Sequence, residues 1–255
     1  MSGTGTATCP RGDGGAILQL KERLLAVMDL VPECRVAADL GTGDGRLAVA
    51  LVKAGRAARV IAADRKAGPL EVAYQQARKA AVHDRVELRL GDGLEVLVPG
   101  EAEVIIIAGI GGQTIAGMLE RGKQVAWRCR RLVVQPLKDP SWVRRWLRRH
   151  RLGTVSETLA LEAGRYYHVL AAEPGTVPAA LVPGLGLLND ELGSRLITSG
   201  HPFLPKLIAQ KRAECEKVLA NLERAGDTGG ARRRWWERRK ARLEEAERCW
   251  RLSVR

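Results

Sequence analysis

The sequence predicts an α/β fold: a largely parallel sheet wound with helices, closed by an antiparallel hairpin and followed by a charged helical hairpin. Three observations carry the prediction. Short apolar runs alternate with segments of helical periodicity from residue 36 to residue 149, the pattern of strand–helix–strand units. The run 103–108 is almost continuously β-branched, as expected of a central strand buried on both faces. Beyond a stretch holding Pro174, Gly175, Pro178, Pro183, Gly184 and Gly186, the chain turns strongly charged and helical.

Ile17, Leu20, Leu24, Val27 and Val31 recur at helical spacing, and Pro32 closes that helix. Strands follow at 36–39 and 58–64, separated by a helix over 47–53 that stops at Gly55. A helix over 69–82 leads to a third strand at 86–90, a fourth at 103–108, a helix over 113–121 and a fifth strand at 132–135. Asp139-Pro140 supplies an acidic N-cap and an N1 proline for a helix over 141–149. Strands at 154–161 and 166–171 flank Glu162-Ala163-Gly164-Arg165, a hairpin turn. Two charged helices, 203–225 and 231–252, are split by Gly226-Asp227-Thr228-Gly229-Gly230 and read as an antiparallel, coiled-coil-like pair. The expected organisation is a disordered lead over 1–15, an α/β domain over 16–175, a linker over 176–187 and a helical domain over 188–255.

Composition narrows the function. The 255 residues carry a net charge of +13, which points to a polyanionic partner, nucleic acid ahead of an anionic membrane. The alternative source of the charge is a coding bias toward arginine. No segment approaches the roughly 18 apolar residues of a membrane span, and the polar first fifteen residues do not resemble a signal peptide. The five cysteines (Cys9, Cys34, Cys129, Cys215 and Cys249) are scattered, with no C-x-x-C pair. This argues against a disulfide framework or a metal site and for a cytoplasmic chain. His83, His150, His168 and His201 show no ligand or triad spacing.

The chemistry concentrates at strand ends. The first strand runs into Asp39-Leu40-Gly41-Thr42-Gly43-Asp44-Gly45. A dinucleotide fingerprint would need its third glycine at position 46, where Arg46 stands. An acid followed by three alternating glycines is instead the usual first loop of S-adenosylmethionine-dependent methyltransferases, with Asp39 reaching the cationic end of the cofactor. Asp64 ends the second strand, where an acid accepts from ribose hydroxyls or caps the next turn. Asp92, in Gly91-Asp92-Gly93, follows the third strand, where it faces the adenine or makes a simple turn. Ala108 and Gly109 complete the cofactor set, and Ile110, Gly111 and Gly112 form the loop at which an acceptor base is expected. That loop lacks the N/D-P-P-Y/F motif of enzymes that methylate exocyclic amines. Asp44 and Gln135 are candidate catalytic groups. Arg23, Arg128, Arg130, Arg131, Arg144, Arg145, Arg148 and Arg149 are candidate RNA contacts, since arginine pairs with phosphate and stacks on bases. All six tryptophans lie in two basic stretches; Trp142 and Trp146, four residues apart, are expected against the sheet, and at least half of the six in the core.

Taken together, these motifs resemble the bacterial tRNA (adenine-22-N1)-methyltransferases. The resemblance rests on Arg23-Leu24, Ala38-Asp39-Leu40-Gly41, Arg89-Leu90-Gly91-Asp92-Gly93-Leu94, Ile107-Ala108-Gly109-Ile110-Gly111-Gly112, Gln135-Pro136, and Glu157, Glu162 and Tyr166 around the hairpin. It covers roughly residues 17–175, and Gly200-His201-Pro202-Phe203-Leu204 onward is similar in plan to that family's helical domain. The family's D-I-G-S-D-H-A-Y-L-P loop stands here as Asp39 to Ala48 without its His-Ala-Tyr, and Q-P-N stands as Gln135-Pro136-Leu137. The resemblance implies a Rossmann-like class I methyltransferase sheet of seven strands, the last antiparallel. It implies S-adenosyl-L-methionine as cofactor, tRNA as partner, and methyl transfer to N1 of an adenine at position 22 by a chain favoured to act as a monomer. The alternatives are a methyltransferase for another RNA base or a small molecule, and a non-catalytic RNA-binding protein on the same fold.

Overall fold

The computed structural model describes residues 20–254; the expected lead at 1–15 and the start of the first predicted helix lie outside them. In chain order the elements are α1 (Glu22–Leu30), β1 (Cys34–Leu40), α2 (Arg46–Lys53), β2 (Ala57–Asp64), α3 (Ala67–Lys79), β3 (Val86–Leu90), β4 (Val104–Ile110), α4 (Gly112–Arg121), α5 (Lys123–Ala126), β5 (Arg131–Pro136), α6 (Pro140–Arg149), β6 (Leu152–Glu162), β7 (Arg165–Pro174), α7 (Ser194–Thr198), α8 (Leu204–Arg224) and α9 (Ala231–Ser253). The seven strands form one sheet in the order β3-β2-β1-β4-β5-β7-β6. The chain winds outward from β1 in one direction through β2 and β3, then returns to place β4 on its other side, with β1 to β5 all parallel. The order reverses between β1 and β4, and ligands of open α/β sheets gather in the crevice outside such a reversal.

Two apolar layers sandwich the sheet, because a parallel strand must bury both faces. Leu40, Ile61, Ile105, Ile107 and Val134 meet α4 and α6 through Ile115, Leu119, Val143 and Leu147. Ala37, Val60, Val104, Ile106 and Val133 meet α1 and α2 through Val27, Leu47 and Leu51. The helix predicted over 113–121 and beyond breaks at Gly122 into α4 and α5, where a Cβ would collide with the Leu94 side chain.

The antiparallel hairpin closes the sheet by insertion. β7 lies inside the sheet, antiparallel to both β5 and β6, so of the hairpin only β6 is an edge strand, with β3 at the other edge. Alternation along β7 then sends neighbours to opposite faces. Val169 and Ala171 join the α1 layer and Leu170 and Ala172 the α4–α6 layer, while Tyr166 packs against the C-terminal helices. Those helices have a third apolar cluster, in which Leu159 of β6 meets Leu185, Leu192, Leu196, Leu207, Cys215, Leu243 and Ala246. α8 and α9 are tied lengthwise by Arg212 to Glu247 and Lys240 to Glu216. Trp146, Trp236 and Trp250 pack in these clusters, whereas Trp127, Trp142 and Trp235 are exposed. Trp142 therefore does not join Trp146 against the sheet: it covers the Arg145 guanidinium, 4.8 Å from its ring.

Candidate active site

Asp39 is the penultimate residue of β1, and the turn that follows is made by Gly41, Gly43 and Gly45, all with positive φ. Gly45 also lets α2 start against α3, since a Cβ there would lie 2.6 Å from that of Ala73. Asp39 is 3% exposed. Its Oδ2 accepts a hydrogen bond from Thr42 Oγ1 at 2.7 Å, and among the described residues no cation pairs with it. Burial, together with Asp44 and Asp64 nearby, pushes its carboxyl up to about 6 against the restraining Thr42 bond. A buried acid without a cation suits a cationic ligand group.

Asp64 ends β2 under the same turn. Its Oδ2 accepts from Gly43 N at 3.2 Å and its Oδ1 from Lys66 N at 3.1 Å, leaving each oxygen a further lone pair for a hydroxyl. Asp92 lies past the end of β3, its carboxylate half exposed and held at 2.7 Å by Arg121 Nη2 from α4. Gly93 behind it packs on Met118, which a Cβ would strike. The three acids thus stand in sequence along β1, β2 and β3 at one edge of the sheet. Asp44 is different: it is half-exposed and paired with Arg46 at 2.8 Å.

The second half of the site is the corner made by β4, β5 and α1. The β4–β5 ladder breaks its register between Ala108 and Ile110, and Gly109, at φ +77°, occupies the bulge. The ladder bond lost there is replaced by a side chain: Gly109 N donates to Oε1 of the fully buried Gln135 at 3.0 Å. The Gln135 amide nitrogen donates to Pro136 O at 2.8 Å. Gly111 precedes α4, and Gly112 N donates to Lys138 O at 2.9 Å. A side chain at Gly112 would run onto the Asp139 carbonyl, so this turn holds the β4 and β5 loops together. Ile110 reaches back to β1: a Cβ on Gly41 would sit 2.8 Å from its Cδ1.

The arginines predicted for RNA divide into distinct groups. Arg144 is a correction. It is 7% exposed and bonds the Glu157 carboxylate, the Asp190 and Glu191 carbonyls and His168 Nδ1, so its donors are spent inside the protein. Arg148 is bidentate to Asp190. Arg131 bonds Glu173 at 2.5 Å and, with Arg128 and Arg130, lies at or before the start of β5. That is the opposite edge of the sheet from the acids, roughly 15 Å away along the strand. Arg145 and Arg149 are exposed on α6. Arg23 is the exception: the fold carries it into the Gln135 corner, Nη1 to Oε1 at 2.5 Å. Thr42, Arg121 and Tyr167, whose ring centre lies 5.9 Å from the Arg23 guanidinium, are residues beside these groups that the sequence pattern does not single out. Thr42 was nonetheless legible, standing three residues after Asp39 within the turn.

The donor set fits S-adenosylmethionine: a buried unpaired acid for its cationic end, Asp64 for a ribose, Asp92 for an exocyclic amine, and glycines where the backbone must approach closely. Similarity to known proteins agrees. A methyltransferase-domain family model matches residues 20–170. The tRNA (adenine(22)-N(1))-methyltransferase of Bacillus subtilis (strain 168) is 34% identical over 212 residues, 83% of this chain and 89% of that protein. The crystal structure of a B. subtilis tRNA methyltransferase for the same adenine matches with a TM-score of 0.75 at 29% identity, covering 93% of this chain and 100% of that one. A Streptococcus pneumoniae relative, in complex with S-adenosyl-L-methionine, matches with a TM-score of 0.76 at 25% identity, covering 89% and 99%. The chain belongs to the family of tRNA (adenine(22)-N(1))-methyltransferases.

Proposed function

We propose that this protein transfers a methyl group from S-adenosylmethionine to N1 of adenine 22 in the D-arm of tRNA. The observation that carries the reading is the buried, cation-free Asp39 beneath its glycine turn, across β4 from the Gln135 corner. With strands about 4.8 Å apart, the two stations are roughly 10–12 Å from each other, which leaves room for a cofactor head and a base between them. Bound cofactor supplies an electrophilic methyl on a sulfonium.

Adenine N1 carries a free lone pair and no proton, so attack at this nitrogen needs no general base. The work left to the protein is to expose the base, align it and accommodate the positive charge that forms on the ring. An adenine must leave its stack to present N1, and in-line positioning then supplies a large part of the rate. The ring charge spreads onto the N6 amine, so an acceptor facing that amine stabilises the transition state more than the ground state. The Gln135 Oε1 and the carbonyls of the 108–111 loop are the acceptors in place. Asp44, half-exposed and paired with Arg46, serves the cofactor turn in this scheme. Exposed arginines on α6 and the basic helical arm hold the RNA by phosphate contacts, which makes binding strongly salt-dependent. In this reading the chain acts as a monomer, and its tRNA substrate is met in the cytoplasm.

The test is incubation of the enzyme with methyl-labelled cofactor and an unmodified tRNA transcript, followed by nucleoside mass spectrometry. One 1-methyladenosine per tRNA is expected, lost when adenine 22 is replaced by guanine. Label on another base, or no transfer, overturns the reading.

A further inference from the structure

Arg23 is the arginine of the catalytic half whose guanidinium bonds a side-chain amide among the described residues; Arg56 and Arg130, also without a carboxylate, bond the backbone carbonyls of Val31 and Glu33. Arg89, Arg121, Arg131, Arg144 and Arg148 each pair with a carboxylate. Among the described residues Arg23 has no such partner; Glu162 Oε2 accepts from its backbone nitrogen at 3.2 Å, not from its guanidinium. The guanidinium instead donates to Gln135 Oε1 at 2.5 Å and lies 5.9 Å from the centre of the Tyr167 ring. On the same ring, also at 5.9 Å, sits Arg165 from the hairpin tip, an exposed cation that likewise has no carboxylate partner among the described residues.

A carbonyl-type oxygen has two acceptor positions. Those of Gln135 Oε1 are taken by Gly109 N and Arg23 Nη1. In the free protein, therefore, the acceptor best placed for a base amine is occupied. The occupant is a long, flexible cation whose pairing with a neutral amide is weaker than pairing with an anion would be. RNA brings that anion, and Arg165 across Tyr167 marks where it would be received.

We propose that Arg23 is a positioning residue that gates the Gln135 acceptor. Before RNA binds, its guanidinium caps Oε1. When RNA arrives, a backbone phosphate beside the target adenine draws Arg23 toward Arg165, and Oε1 is freed to accept from the adenine N6 amine. The device couples acceptor availability to polyanion binding, so that a free adenine base competes with the guanidinium for Oε1 while a base carried on RNA does not. The inference rests on the tRNA reading above. If the wild-type enzyme makes no 1-methyladenosine on tRNA, that reading fails first.

Given wild-type activity, the gate is tested with the full-length chain and the variants Arg23→Ala, Arg23→Lys and Arg165→Ala. Arg23→Ala is expected to raise KM for tRNA about tenfold with kcat at saturating tRNA preserved. It should also reduce the slope of log KM against log salt by about one, the signature of a lost phosphate contact. Arg23→Lys restores the slope. Free adenosine, which has no phosphate, should bind the Arg23→Ala protein about fivefold more tightly than wild type in the presence of S-adenosylhomocysteine, because its amine no longer competes for Oε1. Unchanged or weaker adenosine binding overturns the gate, as does a fall in kcat with KM and salt slope untouched. Arg165 is exposed at the start of β7 and its replacement leaves α1 intact, so Arg165→Ala covers the case in which Arg23→Ala unfolds. It too must raise KM and lower the slope, and an unchanged slope overturns the shared phosphate site.

Discussion

Asp39 and Glu157 are both buried acids, and they sit in opposite electrostatic circumstances. Glu157, on β6, has a side chain 2% exposed and pressed against Arg144, which in turn bonds His168 and the carbonyls of Asp190 and Glu191. Asp39, on β1, has a hydroxyl and, among the described residues, no cation. Burial pushes both carboxyls upward; at Glu157 the guanidinium opposes that push, whereas at Asp39 the neighbouring acids add to it. A buried charge whose partner comes from the same chain is architecture: here it fastens α6, the hairpin and the segment leading into the helical arm at one point. A buried charge whose partner is missing from the chain is a place kept for a ligand. The difference separates two kinds of residue that look alike in composition.

The largest test of this distinction is Arg144→Met. Removing one member of a buried pair leaves the other uncompensated, at a cost of about 3–5 kcal/mol. In a chain of this size that corresponds to a melting temperature lower by roughly 10 °C. Below the new melting transition, calorimetry should find S-adenosylmethionine bound as in wild type. Loss of cofactor affinity in the folded variant would show that the node belongs to the site and break the comparison.

Asp39→Asn tests the other side and is expected to act with the reverse pattern. With its carboxyl pushed up to about 6 in the folded protein against an ordinary 3.8, ionised Asp39 opposes folding by about 3 kcal/mol at pH 7. The asparagine removes that opposition, so the ligand-free protein should melt several degrees higher. Cofactor affinity should nevertheless fall on the order of 100-fold, because the buried countercharge is gone. The acid must be ionised to hold a cation, so wild-type affinity should drop about tenfold per unit as pH falls below about 6, while Asp39→Asn is flat across that range. A variant that loses stability and affinity together would place Asp39 in the architecture.

The parts of this arrangement that were legible in the sequence are those set by local rules. The glycine turn, the acids at successive strand ends and the β-branched β4 follow from backbone conformation and burial within a few residues. Arg144 depends on Glu157 and Asp190, 13 and 46 residues away, and no local rule pairs them. Its inward position was nonetheless readable, since Arg144 shares the buried stripe of α6 with Val143 and Leu147. Strand polarity likewise places Arg128, Arg130 and Arg131 at the edge away from the ligand, because they precede β5 while ligands bind where its neighbours end. Tyr167 stayed hidden for a different reason. Only the insertion of β7 between β5 and β6 turns it toward Arg23 while Tyr166 faces the arm.

The smallest expected effect concerns the neutral partner of the Arg144 node. Burial, then the charges of Arg144 and Lys211, hold His168 neutral, well below its ordinary 6.5, as its role of acceptor from Arg144 requires. The unfolded chain takes up a proton near 6.5 and the folded one does not. The stability His168 contributes is therefore complete above that pH and is lost as pH falls through it, by up to about 1.4 kcal/mol per unit. Asp39 works in the other direction over part of this range, gaining stability for the fold as it protonates below about 6. Wild-type stability between pH 7 and 5 is thus a difference of opposed slopes and cannot by itself be assigned. Comparison with His168→Gln, which keeps an acceptor for Arg144 but does not titrate, isolates the histidine. Denaturant unfolding of the variant should lose less stability on acidification than wild type by about one proton's worth. Equal slopes would mean that His168 takes up its proton in the folded protein as readily as in the unfolded chain, and the Arg144 node would then lack the neutral acceptor its geometry calls for.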